Sequence, residues 1–158
     1  MTGNPRIIEG NTAPKGARVA IVAARFNSFV VDRLLNAALE TLRAQGVREE
    51  NLTLVRVPGA FEIPLAAKKL AASGRQDTVI ALGAVIRGET PHFDYVAGEC
   101  ARGVEQVALD TGVPVAFGVL TCNTAEQALA RAGGAAGNKG ADAAMAALEM
   151  ADLLRKLD

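Results

Sequence analysis

Four short apolar runs, each followed by a helical pattern, leave this chain few folds to choose from: Val19 to Ala23, Leu52 to Val57, Thr78 to Gly83 and Val113 to Leu120. The runs are nearly continuous rather than alternating, the pattern of strands buried on both faces. In the first intervening segment, roughly Phe29 to Gln45, Val30, Leu34, Leu35, Ala38, Leu39 and Leu42 fall on one helical stripe, and Gly46 ends it. The second has Pro64 in its first turn and Gly74 after its end. A third helix is expected from Thr90 as N-cap, with Pro91 next, running toward Asp110. A fourth begins at Asn123 or Thr124, where the Asn-x-x-Glu spacing to Glu126 suits a capping-box-like start, and an alanine-rich fifth spans Lys139 to Lys156. Strands joined through right-handed helical crossovers make a parallel sheet covered on both faces. The fold class is therefore α/β, a three-layer αβα sandwich around a central, mainly four-stranded parallel sheet.

Length sets the domain count: 158 residues suffice for one well-buried domain and are too few for two comfortable ones. One domain over residues 1–158 is expected, with residues 1–17 as an N-terminal arm. A formal net charge of zero offers no basic footprint, so nucleic acid is not an expected partner. Cys100 and Cys122 form no CxxC pair and read as small core residues in a reducing compartment. The opening stretch Met1 to Arg6 lacks the apolar core of a signal peptide, and no run approaches a membrane span. A cytoplasmic protein without membrane contact is the expectation.

Ligands of open parallel sheets gather at the carboxyl ends of the strands, and the unusual residues of this chain fall there. After the first strand come Arg25, Phe26 and Asn27; after the second, Pro58 to Pro64; after the third, the turn from Gly88 to His92; within and after the fourth, Phe117 to Asn123. Four segments are thus expected to converge on one rim. They would bring the aromatic faces of Phe26, Phe61, Phe93 and Phe117, the Glu62 carboxylate and His92, the only histidine of the chain. Aromatic faces suit a flat heterocycle, a carboxylate suits hydroxyls, and unpaired amides at a helix start suit phosphate. An imidazole there can move protons near neutral pH.

Each signal has a plainer alternative. Phe26 and Phe61 also read as plugs at strand ends, Glu62 as a first-turn charge answering a helix dipole, Asn27 as an N-cap, and His92 as a surface histidine. Arg131 and Lys139 flank a glycine-rich stretch, 132–138, that looks first like a flexible helix connection.

Order and spacing together are more specific. The stretches IIEGN (7–11), ARFN (24–27), VPGAFEIP (57–64), GAVIRGETPHFD (83–94), PVAFGVLT (114–121), RAG (131–133) and GNKG (137–140) resemble those of the 6,7-dimethyl-8-ribityllumazine synthases over nearly the whole chain. The resemblance implies a transferase of riboflavin biosynthesis that condenses 5-amino-6-ribitylaminouracil with 3,4-dihydroxy-2-butanone 4-phosphate, with no metal and no organic cofactor. By position, Phe26 and Asn27 would meet the pyrimidine, Gly59, Ala60, Phe61 and Glu62 the ribityl side, and Ala84, Val85 and Ile86 the pyrimidine edge through backbone groups. Gly88, Glu89, Thr90 and Arg131 would hold the phosphate, and His92 would shuttle protons.

The resemblance also implies a homo-pentamer with sites between neighbouring chains. Phe117 would reach across from the adjacent chain, Lys139 would lie at that boundary, and Ile7 to Asn11 would add a strand to the neighbour's sheet. The connection from Arg131 to Gly140 carries no insertion and so looks like the type that gathers twelve pentamers into an icosahedral shell. It departs from that type at Ala135, where a lysine is common. A rival on the same scaffold is a non-catalytic flavin-binding, lumazine-binding or shell-forming homologue, which would be expected to lose His92 or Arg131. A receiver-type regulatory domain would want aspartates at the ends of strands one and three, and residues 19–27 and 78–88 contain none. Asp77 lies at the wrong end of its strand.

Overall fold

The computed structural model describes residues 3–158. Met1 and Thr2, the start of the stretch read as lacking a signal peptide, lie outside the described residues. Among those described, the main elements are the strands β1 (Val19–Ala24), β2 (Leu52–Val57), β3 (Thr78–Ile86) and β4 (Val115–Cys122) and the helices α1 (Ser28–Ala44), α2 (Ile63–Ala72), α3 (His92–Thr111), α4 (Ala125–Ala130) and α5 (Lys139–Leu157). The four strands form one sheet in the order β2-β1-β3-β4, every neighbouring pair parallel. This is the expected three-layer sandwich, flavodoxin-like in architecture. Among the described residues no helix is long and apolar enough to cross a membrane.

Two-sided burial explains why the strands read as continuous apolar runs. Alternate residues of β1 point to opposite faces: Val19, Ile21 and Ala23 join Leu34, Leu42 and Leu148 in one core beneath α1 and α5. Ala20, Val22 and Ala24 join Ile63, Val104 and Val107 in a second core beneath α2 and α3. Fully buried side chains such as Leu34, Ile63 and Ile80 each contribute on the order of 1.5–3 kcal/mol relative to exposure.

Several boundaries differ from expectation for local reasons. β3 runs on past Gly83 to Ile86, pairing with β4 as far as Cys122. Gly83 does not break the strand; a Cβ there would stand 3.3 Å from Ile63 Cδ1 and 3.5 Å from Val119 Cγ1, so the missing side chain lets α2 start close to the sheet. β4 begins at Val115 rather than Val113, with the Pro114 carbonyl accepting from Val79 N at 3.0 Å and Thr78 Oγ1 at 2.9 Å. α3 is not capped by Thr90: its first helical residue is His92, Pro91 occupies the cap position, and Asp94 N donates to the Pro91 carbonyl at 3.0 Å. α4 does have a capping box, but the pair is Thr124 with Gln127 rather than Asn123 with Glu126. Thr124 Oγ1 accepts from Gln127 N at 3.2 Å while Gln127 Oε1 accepts from Thr124 N at 3.3 Å.

The glycine-rich connection is not slack. It folds into a small antiparallel hairpin, β5 (Ala132–Gly134) against β6 (Gly137–Asn138), with Gly133 at φ 106° and Gly137 at φ 84°, values that glycine adopts without steric cost. Asn138 then caps α5, its Oδ1 accepting from Gly140 N at 2.8 Å, and its Nδ2 donates to the Arg33 carbonyl of α1 at 3.3 Å. At Gly140 the two helices touch through backbone, and any Cβ would run into the Leu34 carbonyl.

Residues 3–17 carry no regular structure and reach along α5. Asn11 N donates to Asp152 Oδ2 at 2.8 Å, Lys156 Nζ to the Glu9 carbonyl at 2.8 Å, and Arg155 Nη1 to the Lys15 carbonyl at 3.0 Å. Gly10 lies so close that a Cβ would run into the Glu149 carbonyl. Ahead of this strap Ile7 stands 73% exposed.

Candidate active site

The site is assembled where β1, β2 and β3 end. Hydrogen bonding between β1 and β2 continues past the strands, with Arg25 N donating to the Val57 carbonyl at 2.8 Å and Phe26 N to the Pro58 carbonyl at 3.0 Å. Asn27 then turns the chain sharply: it holds φ 63°, ψ 42°, the left-handed region that asparagine tolerates better than most residues. The Asn27 carbonyl accepts from Val30 N and Val31 N at 3.0 Å to start α1. Asn27 thus occupies the expected cap position without capping through its side chain, whose Nδ2 donates across the rim to the Ala84 carbonyl at 2.8 Å. Phe26 is left 72% exposed, so the strand-end plug is the wrong reading for it.

After β2, Gly59 is extended and leads through a single 3₁₀ turn, Ala60–Glu62, into α2. Ala60 packs inward while Phe61 and Glu62 face outward. A Cβ on Gly59 would stand 3.4 Å from Glu62 Oε1, which shows how near the carboxylate lies to that backbone. Glu62 forms no cap hydrogen bond at the start of α2, although its charge still suits that helix end. After β3, the turn through Gly88 and Thr90 delivers His92 to the first position of α3. None of the hydrogen bonds among the described residues uses the N–H of Gly88, Glu89 or Thr90 as donor.

These three strand ends enclose an open cleft of about 680 Å³. It brings together Phe26, Asn27, Gly59, Ala60, Phe61, Glu62, Ala84, Val85, Ile86, Gly88, Thr90 and His92. Pro58, from the expected strand-end segment, lines it as well, and so do Tyr95 and Val96, which were not anticipated; for Tyr95 the signal was available, since a residue three after His92 shares its helix face. Phe93 lines the cleft but is only 7% exposed, so it supplies a wall rather than the free aromatic face expected of it. No lysine or arginine is among the lining residues.

Phe117, Glu89, Arg131 and Lys139 stand outside that lining. Phe117 pairs with Ala81 in the middle of the sheet rather than at the rim, and is 42% exposed on the edge strand. Arg131 ends α4, its Nη1 donating to the Gln127 carbonyl at 2.9 Å, and its own carbonyl accepts from Lys139 N at 2.8 Å. The hairpin therefore brings Arg131 and Lys139 to each other, outside the lining of their own chain's cleft.

Two further features bear on chemistry. Cys100 and Cys122 are both buried, and burial pushes the Cys100 thiol up to about 11, a packing residue and not a nucleophile. Among the described residues no group of three or more His, Cys, Asp or Glu side chains is placed to hold a metal ion. A second hollow of about 480 Å³ lies at the opposite, amino end of the sheet between residues 13–17 and 45–51, and its lining has no aromatic ring, carboxylate or imidazole.

The cleft can therefore stack a flat ring on Phe26, accept hydrogen bonds from hydroxyls at Glu62, and present unpaired amides and an imidazole at the far end. Compared with known families, the chain matches the model described as 6,7-dimethyl-8-ribityllumazine synthase over residues 16–155.

Proposed function

The chain belongs to the 6,7-dimethyl-8-ribityllumazine synthase family, transferases of riboflavin biosynthesis, and from that premise we propose that it condenses 5-amino-6-ribitylaminouracil with 3,4-dihydroxy-2-butanone 4-phosphate. The products are the lumazine, inorganic phosphate and water. The observation that carries this reading is the single cleft in which Phe26, Glu62 and His92 meet.

Phe26 stacks on the pyrimidine, backbone groups of Ala84, Val85 and Ile86 read its edge, and Glu62 with the Gly59–Phe61 backbone receives the ribityl hydroxyls. Asn27 is held on the pyrimidine side by the bond from its Nδ2 to the Ala84 carbonyl, which leaves its second N–H and its Oδ1 for the ligand. The free amides of Gly88, Glu89 and Thr90 take the phosphate at the start of α3.

The 5-amino group attacks the ketone to form an imine and release water, phosphate leaves by elimination, the resulting enol tautomerises to a ketone, and the ribityl-bearing amine adds to that ketone and expels a second water to close the ring. Every step is a proton transfer plus positioning. His92 serves as acid and base, a role worth about 10²–10⁴ in rate. Holding two reactants in register contributes about 7 kcal/mol or more in favourable cases.

One chain does not supply the whole set. Phe117, Arg131 and Lys139 lie outside the cleft while remaining at the surface, and a phosphate seated on amides alone lacks a cation. An adjacent copy provides them: its Phe117 covers the ring, and its Arg131 and Lys139, tied by their backbone hydrogen bond, approach the phosphate. The assembly is a pentamer, with Ile7 to Asn11 pairing along a neighbour's sheet edge; the exposure of Ile7 and Ile8 in a segment without regular structure of its own supports this. Each chain works as one domain with its arm, and the uninterrupted hairpin favours twelve pentamers closing into a shell.

The test is to mix the purified protein with both substrates and follow lumazine absorbance and fluorescence against a no-protein blank, with sedimentation on the same sample. A rate above blank is expected; blank-level turnover by a folded pentamer would overturn the synthase reading in favour of a ligand-binding or shell role.

A further inference from the structure

We propose that Arg87 is a positioning residue that stations the Gly88–His92 turn for the reaction, an inference that rests on the roles assigned above to His92 and to the amides of that turn. Arg87 is not among the residues lining the cleft, so its action is through others.

The turn needs an external support. It joins β3 to α3 with no internal hydrogen bond to the amides of Gly88, Glu89 or Thr90, and a Cβ on Gly88 would meet nothing within 4 Å. Arg87 provides the support at three points. Its N–H donates to the Cys122 carbonyl at 2.9 Å, which prolongs the β3–β4 pairing by one residue. Its side chain then folds forward over the turn: the guanidinium carbon lies 4.4 Å from the centre of the Phe93 ring, beside His92, and Nη2 faces Asp94 Oδ1 at 3.8 Å. From the other side Nε donates to Asn123 Oδ1 at 2.9 Å.

One planar group thus ties the end of β3, the first turn of α3 and the loop after β4. Asn123 is itself held, its N–H donating to Gln127 Oε1 at 2.8 Å within the α4 capping box. A lysine keeps the charge but lacks the flat fork needed to stack on Phe93 and bond Asn123 at once. The side chain is about half exposed, 48%, so its removal leaves both hydrophobic cores intact.

The experiment compares the wild-type assembly with Arg87→Met, Arg87→Lys and Asn123→Ala, measuring kcat and the KM for each substrate. Displacing a catalytic group by about 1 Å costs up to about 100-fold, so kcat is expected to fall roughly tenfold or more in both arginine variants, with KM for the butanone phosphate raised. KM for the ribitylaminouracil, held by Phe26, the Gly59–Glu62 segment and the β3 backbone ahead of Arg87, which stays paired with β4, remains near wild type. Lysine does not rescue, and Asn123→Ala moves kcat in the same direction by less.

Wild-type constants in Arg87→Lys, or loss of thermal stability with unchanged constants, would overturn the assignment. A loss confined to KM for the phosphate substrate and rescued by lysine would overturn it too, in favour of a direct phosphate cation. Because His92 is the only histidine, its modification by diethylpyrocarbonate gives a readout free of turnover. Local opening predicts a rate at least about twofold faster in Arg87→Met, and equal rates defeat the inference even if the wild type proves inactive.

Discussion

Asn27 and Ala84 are joined across the carboxyl end of the sheet by a 2.8 Å hydrogen bond from Nδ2 to the main-chain carbonyl, while Asn27 itself holds a left-handed backbone. The pair links the end of β1 to β3 beside Phe26, at the point where the chain must leave the sheet and enter α1. Only a residue that combines tolerance of positive φ with an amide donor meets both demands.

Replacement separates the two contributions. Asn27→Gly retains the conformation and loses the bond, which is expected to cost about 1 kcal/mol. Asn27→Ala loses both and should cost about 1–2 kcal/mol more. Urea unfolding at one fixed protein concentration checks the order, and equal stability of the two variants would show that the turn carries no conformational demand.

His92→Ala and Arg131→Ala should fail in different ways. The histidine variant is expected to lose about a hundredfold or more in kcat while staying above the uncatalysed rate, because positioning survives. The arginine variant should chiefly raise KM for the butanone phosphate. An unchanged KM for that substrate would remove Arg131 from the phosphate site.

Acid should release the arm. The Asn11 N–H, and then Lys156, hold the Asp152 carboxyl below its ordinary value. A group depressed in the folded state contributes stability that is present above its unfolded value, near pH 4, and lost as pH falls through the folded one. Asp77 acts in the same window: burial works to raise its carboxyl, but the Arg18 donors and Arg155 outweigh it and hold it low. Hydrogen exchange over residues 9–17, corrected for the intrinsic pH dependence of amide exchange, should therefore lose its protection below about pH 4. It should be fast already at neutral pH in Asp152→Asn; wild-type protection in that variant would show that the carboxylate does not hold the arm.

Both cysteines should resist alkylation in the native state. With the Cys100 thiol at about 11, roughly one molecule in a thousand carries the thiolate at pH 8, and burial hinders access further. Reaction of Cys100 with iodoacetamide before unfolding would indicate that the α3 face opens in solution, and reaction of Cys122 that the opposite core does.

Much of this architecture was legible in the residues because a parallel sheet buried on both faces writes itself as unbroken apolar runs. The strand ends were harder. Gly83 carries the same letter whether it punctuates a strand or makes room for Ile63, and only packing tells the two apart. Asn27 is equally at home as a cap and in the left-handed region, so its true partner, a carbonyl 57 residues away, left no local trace. The glycines of 132–138 suggested slack because positive φ in a hairpin and freedom in a linker draw on the same residue type. Most of the cleft followed from the strand-end rule, whereas the distance of Phe117 from the rim depended on where β4 begins, and Arg87 gained its meaning only from three elements meeting in space.

The contact at Gly140 constrains more than the helix it begins. Helices separated by side chains shift as those side chains are exchanged, since every methylene gained or lost resets the spacing of their axes. Where α5 rests on the Leu34 peptide through a residue with no side chain, there is no adjustable shim. The spacing is a stop, and volume changes further along the alanine-rich face have to be absorbed elsewhere. Lys139 and the hairpin that carries Arg131 thereby inherit a datum fixed to α1, one that core drift over evolutionary time cannot readily reset.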